Sequence, residues 1–152
     1  MQLTPHFSIK EFTYSETALR HKLDNSIPAD KMADAVLTAQ MMERIRAHLS
    51  AKAGKDISIR INSAWRSPEV NTAVGSGRTS DHLKMAAVDF TADGFGDAYA
   101  ICKALVPVLD QLGVGQIIFE HSWTHVSRLK PIKTINRVIT VQGGDYVPGI
   151  QR

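Results

Sequence analysis

Between residues 29 and 53, apolar side chains return at three- and four-residue steps: Met32, Val36, Ala39, Met42, Ile45 and Leu49. That spacing lines up one apolar face and predicts a long helix from Ala29 to Ala53, stopped by Gly54. A second long helix is predicted from Phe95 to Leu112, bent near Pro107, whose nitrogen has no hydrogen for the helix ladder. Elsewhere the period shortens to two. Ile57-Ser58-Ile59-Arg60-Ile61-Asn62 alternates apolar and polar and predicts a half-buried strand. Ala86 to Thr91, Val114 to Phe119, Trp123 to Leu129 and Arg137 to Val141 predict four more strands. Two short helices have start signals: Ser8 as N-cap with Glu11 at the capping-box position, and Ser67-Pro68 opening a helix through Val74. Residues 14 to 28 read as a loop, as do the glycines after Val74. The run from Gly143 to Arg152 has turn chemistry but no assignable role. Close strand neighbours without regular crossover helices predict an α+β fold, a small mainly antiparallel sheet packed against helices.

At 152 residues the chain fits one domain, residues 1–152, large enough to bury a core. Its 43% hydrophobic and 22% charged residues exclude disordered and fibrous classes. The net charge of +3 is scattered. It suits anionic surroundings, but no basic stripe with interleaved aromatics supports a nucleic-acid partner. The lone Cys102 falls in an apolar helical pattern and reads as a small buried hydrophobe. The N-terminus has no signal-peptide pattern, and no apolar run approaches the ~18 residues of a membrane span. The expectation is a monomer made in the cytoplasm without a signal peptide, with no membrane insertion.

Candidate chemistry concentrates in two segments, Ser80 to Asp89 and Trp123 to Ser127. His82, Asp89 and His125 offer two imidazoles and a carboxylate, the three-ligand set of a catalytic zinc whose fourth position is left to water. Their spacing is not helical, so they must converge through tertiary structure. Alternation puts Ala87, Asp89 and Thr91 on one strand face, with Trp123, His125 and Ser127 sharing another. A carboxylate within an apolar strand needs a partner, and a metal ion supplies one.

The segments Ser63-Ala64-Trp65-Arg66-Ser67-Pro68-Glu69-Val70-Asn71, Ser80-Asp81-His82 through Val88-Asp89, and Trp123-Thr124-His125-Val126-Ser127 resemble the zinc D-alanyl-D-alanine carboxypeptidase family. That family includes phage endolysin peptidases cutting L-Ala-D-Glu and vancomycin-resistance dipeptidases, and shares its fold with the Hedgehog signalling domain. Phe7 to Phe12 looks like the small phage-associated members. The resemblance implies a Zn2+ peptidase acting on peptidoglycan stem peptides, with His82, Asp89 and His125 as ligands. It implies that Arg66 steadies the substrate carbonyl and the developing oxyanion, and that Ser80 orients the loop or a ligand. Asn71 reads as a helix contact.

The match departs at one position. Family members usually carry a carboxylate three residues before the last zinc histidine, as general base; here that residue is Ser122. If residues 121 to 123 form a tight turn, Glu120 can take the role. His121 is the second candidate and Asp81 the third. The expected function is a zinc metallopeptidase of the cell wall, a phage or prophage endolysin acting on the wall after release. The alternative is a zinc-binding wall-recognition or phage structural module without catalysis, motivated by Ser122.

Overall fold

A computed structural model describes residues 1–152. The chain opens with two short paired strands, β1 (Gln2–Thr4) and β2 (Phe7–Ser8). Helix α1 (Ile9–Thr13) follows, with the expected capping box closed between Ser8 and Glu11. The stretch read as a loop contains a helix, α2 (Glu16–His21). Its sequence has no apolar period. It forms because Ser15 accepts the Ala18 N–H and Lys22 closes the other end in a left-handed turn.

The long helix α3 (Met32–Ala53) is entered through a 3-10 turn at Ala29–Lys31 and ends at Gly54. Its inward face is wider than the predicted stripe. Ala35, Thr38 and Met41 join Ala39, Met42, Ile45 and Leu49 in burial, while Met32 and Val36 are only half-buried. The buried Thr38 hydroxyl donates to the Met85 carbonyl at 2.6 Å and accepts from Arg128 Nε at 2.8 Å, and the Arg128 guanidinium also reaches Asp34. These bonds tie α3 to the segments entering β4 and leaving β6.

β3 (Arg60–Ser63) starts three residues later than predicted. Its partner ladder begins at Arg60↔Thr91, beyond which the opposing chain turns away at Ala92–Gly96, so Ile57 packs in the core without a strand partner. α4 (Pro68–Ala73) has Ser67 as its cap. β4 (Ala87–Thr91) is followed by α5 (Ala98–Leu105), which begins at its Asp97 cap rather than at Phe95. At Pro107 the helix gives way to a 3-10 turn and resumes as α6 (Leu109–Leu112), as the missing N–H requires. β5 (Gln116–Phe119), β6 (Thr124–Ser127) and β7 (Val138–Gln142) fall within or beside their predicted runs. The tail adds an unpredicted strand, β8 (Asp145–Pro148). Gly143 and Gly144 both have positive φ, 56° and 88°, which permits the two-residue turn between Gln142 and Asp145.

The main sheet has strand order β3-β4-β6-β5-β7-β8, antiparallel except for the β5–β7 pair, so the fold is α+β as expected. Val88, Phe90, Ile117, Phe119 and Val126 face the helices and belong to a core of 26 buried residues. The opposite face carries Asp89, His125 and Ile118 in register across β4, β6 and β5. No helix is long and apolar enough to cross a membrane.

Candidate metal centre

Each ligand is delivered by local structure. Asp89 and His125 are direct partners on adjacent antiparallel strands, so pairing alone brings them together. His82 arrives from a 3-10 turn, Asp81–Lys84, capped by the Ser80 hydroxyl, which accepts the His82 N–H at 3.3 Å. Its Nδ1–H donates to the Ala64 carbonyl at 2.7 Å, which fixes the tautomer and leaves Nε2 free. That Nε2 lies 3.3 Å from Asp89 Oδ2, and His125 Nδ1 lies 2.8 Å from Asp89 Oδ1. The donor atoms of His82, Asp89 and His125 all fall within 4.8 Å of one another. Two donors on a tetrahedral zinc at ~2.0–2.1 Å sit about 3.3 Å apart, so this set needs only small adjustment to hold the ion.

The electrostatics suit a cation. Burial works to raise the Asp89 pKa, but the imidazoles of His82 and His125 outweigh it and hold the carboxyl well below the usual range. Burial works against a charged His125, yet its bond to Asp89 and that carboxylate's charge raise its pKa overall. The two histidines thus keep Asp89 ionised, and Asp89 in turn favours a positive charge at its own position.

Arg66 places Nη2 3.6 Å from Asp89 Oδ2 with a side chain only 17% exposed. Burial lowers its pKa against the opposing pull of Asp89 and Glu120, and a guanidinium stays charged regardless. The backbone around it is pinned from several sides. The Arg66 N–H donates to the His82 carbonyl, and the Trp65 N–H to that of Phe12. Asn25, buried, donates to the Thr13 and Trp65 carbonyls and accepts the Ser67 N–H at 2.8 Å. Trp65 Nε1 donates to the Ser26 carbonyl. Sequence reasoning missed Asn25, because its partners lie 12 to 42 residues away and no local pattern announces them.

The turn joining β5 to β6 occupies the segment where the sequence departs from the expected pattern. Glu120 N–H donates to the Trp123 carbonyl at 3.2 Å, and His121 takes a positive φ of 63°. The two-residue turn puts His121 and Ser122 at its exposed tip. By alternation Glu120 shares the face of Ile118, and Trp123 that of His125. The Trp123 indole donates to Glu120 Oε2 at 3.0 Å, and both residues line the cavity over the metal ligands. Burial, then the negative charge of Asp89, push the Glu120 pKa up. His121 does not line that cavity: its Nε2 donates to the Val141 carbonyl and its ring packs on Phe119. Asp81 lines the cavity, but its Oδ2 accepts the Ser127 hydroxyl at 2.7 Å. Asn71 donates to the carbonyls of Ser76 and Gly77, anchoring the loop after α4.

A family model described as Peptidase M15 matches residues 5–127, a span that contains all three ligands, Arg66 and Glu120. No curated protein matches the chain.

Proposed function

The chain belongs to the peptidase M15 family, whose members are zinc-dependent metallopeptidases, and from that premise we propose that it cleaves peptidoglycan stem peptides. The observation that carries this reading is the buried His82–Asp89–His125 group with Arg66 and Glu120 opening onto the same cavity. Zinc held by the three ligands supplies Lewis acidity and lowers the pKa of water toward ~7. Glu120 is the base: it takes the water's proton as the peptide carbonyl is attacked, then returns it to the leaving amine. Burial raises its pKa above an ordinary glutamate's, which makes it a stronger proton acceptor. Trp123 holds one of its oxygens and leaves the other for the proton. Arg66, fixed by the Asn25 clamp, faces the oxyanion, where a preorganised cation in a water-poor site lowers the barrier by a few kcal/mol. His82 and His125 orient Asp89 and keep it ionised.

The biological setting we propose is lysis: an endolysin of a phage or prophage that reaches the wall on release from the cell. The mildly basic surface suits an anionic wall. The competing reading is a zinc-binding wall module without catalysis, which the exposed Ser122 motivates. Purified peptidoglycan separates the two. The peptidase reading expects turnover that a strong chelator abolishes and added zinc restores. Stoichiometric zinc binding with no turnover on wall or stem peptide supports the binding module instead.

A further inference from the structure

The row of register partners that carries the metal centre continues past it. Asp89 faces His125, His125 faces Ile118, and Ile118 faces Ile139 on successive strands. Three strand spacings of ~4.8 Å put Ile139 about 14 Å from Asp89 across the sheet. Tyr146 on β8 opposes Val141, two residues on from Ile139, and so shares the same face. One cavity of about 910 Å³ runs from Arg66 and His82 to Ile132, Ile139 and Tyr146.

The far arm differs in character from the metal end. Its floor is the aliphatic pair Ile118 and Ile139, and at its rim Ile132 is fully exposed and Tyr146 is 61% exposed. Lys130 is the one charged side chain lining it. Gln116, which also lines it, already donates to the Asn136 carbonyl at 2.8 Å. Exposed apolar groups toward both ends of the arm, Ile132 with Lys130 at the Gln116 end and Tyr146 beside Val141 at the other, continuous with a catalytic cavity, mark a binding surface. Lys130, Ile132, Ile139 and Tyr146 all lie past residue 127, where the family match ends.

We propose that this arm is a substrate subsite, built by residues 129–148, that seats the peptide segment about three to four residues from the scissile bond. The inference rests on the peptidase reading above. An extended chain advances about 3.3 Å per residue, so the ~14 Å floor matches about four residues. A dipeptide at the metal would leave the arm empty. The aliphatic floor fits an apolar side chain of the stem, and Lys130 fits a carboxylate carried by it. A sugar, with hydroxyls all round, finds fewer free polar partners here.

The test uses the zinc-loaded full chain and the triple variant Lys130→Glu, Ile132→Ser, Tyr146→Ser, all at exposed positions. Three probes are compared: the stem pentapeptide, the same peptide bearing its disaccharide, and the shortest peptide that is cleaved. The variant is expected to raise KM for the pentapeptide tenfold or more, with kcat little changed and the short peptide unaffected. Equal losses on long and short substrates, or none on either, overturn the proposal. A loss confined to the disaccharide-bearing probe assigns the arm to glycan and also overturns it. Should the wild type cleave nothing, the peptidase reading fails, and pentapeptide binding by calorimetry judges the arm alone. Binding weakened by the variant sustains it; unchanged or undetectable binding sinks it.

Discussion

Glu120 sits where its chemistry works against the fold. Burial and Asp89 raise its pKa above the unfolded value, so ionised Glu120 costs stability, a cost that grows as pH rises from the unfolded toward the folded pKa. Glu120→Gln removes the charge and keeps the shape. It should lower kcat by roughly 10²–10⁴-fold while zinc content and melting temperature hold or improve; a variant with near-wild-type kcat would remove Glu120 from the role of base. The same shift fixes the sign of the pH profile. Activity needs the ionised base, so it is present above the raised pKa and lost as pH falls through it. In the metal-free protein the Glu120 carboxyl should therefore titrate above an ordinary glutamate, readable by carboxyl-resolved NMR. In the sequence this residue was legible only as the carboxylate nearest His125, on condition that residues 121 to 123 form a tight turn, and the register supplies the reason. Two steps from Ile118, which pairs with His125, Glu120 returns to the ligand face, whereas Ser122 falls in the turn. His121 was not separable from it, because the positive φ that turns it toward Val141 leaves no mark on the residue itself.

Elements whose own sequence carries their signal were readable, and elements held by distant partners were not. Short runs rich in apolar and β-branched residues marked the strands that carry Asp89 and His125, and the three-four period marked α3. Helix α2 and strand β8 were missed because one depends on two caps over six residues and the other on a Gly-Gly turn and a neighbouring strand. The Asn25 clamp is the extreme case, since it joins α1, the Trp65–Ser67 segment and the polar stretch between them. Asn25→Ala leaves the Ser67 N–H and two carbonyls without partners, a cost of about 1–3 kcal/mol. Because the clamp holds the backbone beside Arg66, kcat/KM should also drop, roughly tenfold or more, with zinc still bound. Unchanged kinetics in a destabilised variant would make the clamp purely structural. Gly115 is as exacting. A Cβ there would overlap the Leu129 carbonyl group, so Gly115→Ala should destabilise the protein by about 1–3 kcal/mol, readable by denaturant titration.

Across the whole molecule, one face of the sheet buries a core against the helices and the other gathers the chemistry. The overall class followed from the order of helices and strands, and the ligand set from residue type together with the family resemblance of the segments around it. The depth and reach of the cavity did not, because they depend on how β5, β7 and β8 sit side by side. Asp89 sits between the two imidazoles, with Glu120 and Asp81 close enough to add negative charge, so an ion held by these ligands would couple its binding to folding. Zinc at a hundredfold excess over its Kd should stabilise the chain by about 2.7 kcal/mol, which raises Tm by roughly 5–10 °C. His82→Ala should lose most of that increment. The most direct test of the central claim is mass spectrometry of the new chain ends released from purified peptidoglycan by the zinc-loaded protein, run beside Glu120→Gln. The wild type should hydrolyse a single peptide bond in the stem, and the variant almost none. An undigested wall, or equal cleavage by both proteins, would contradict that claim.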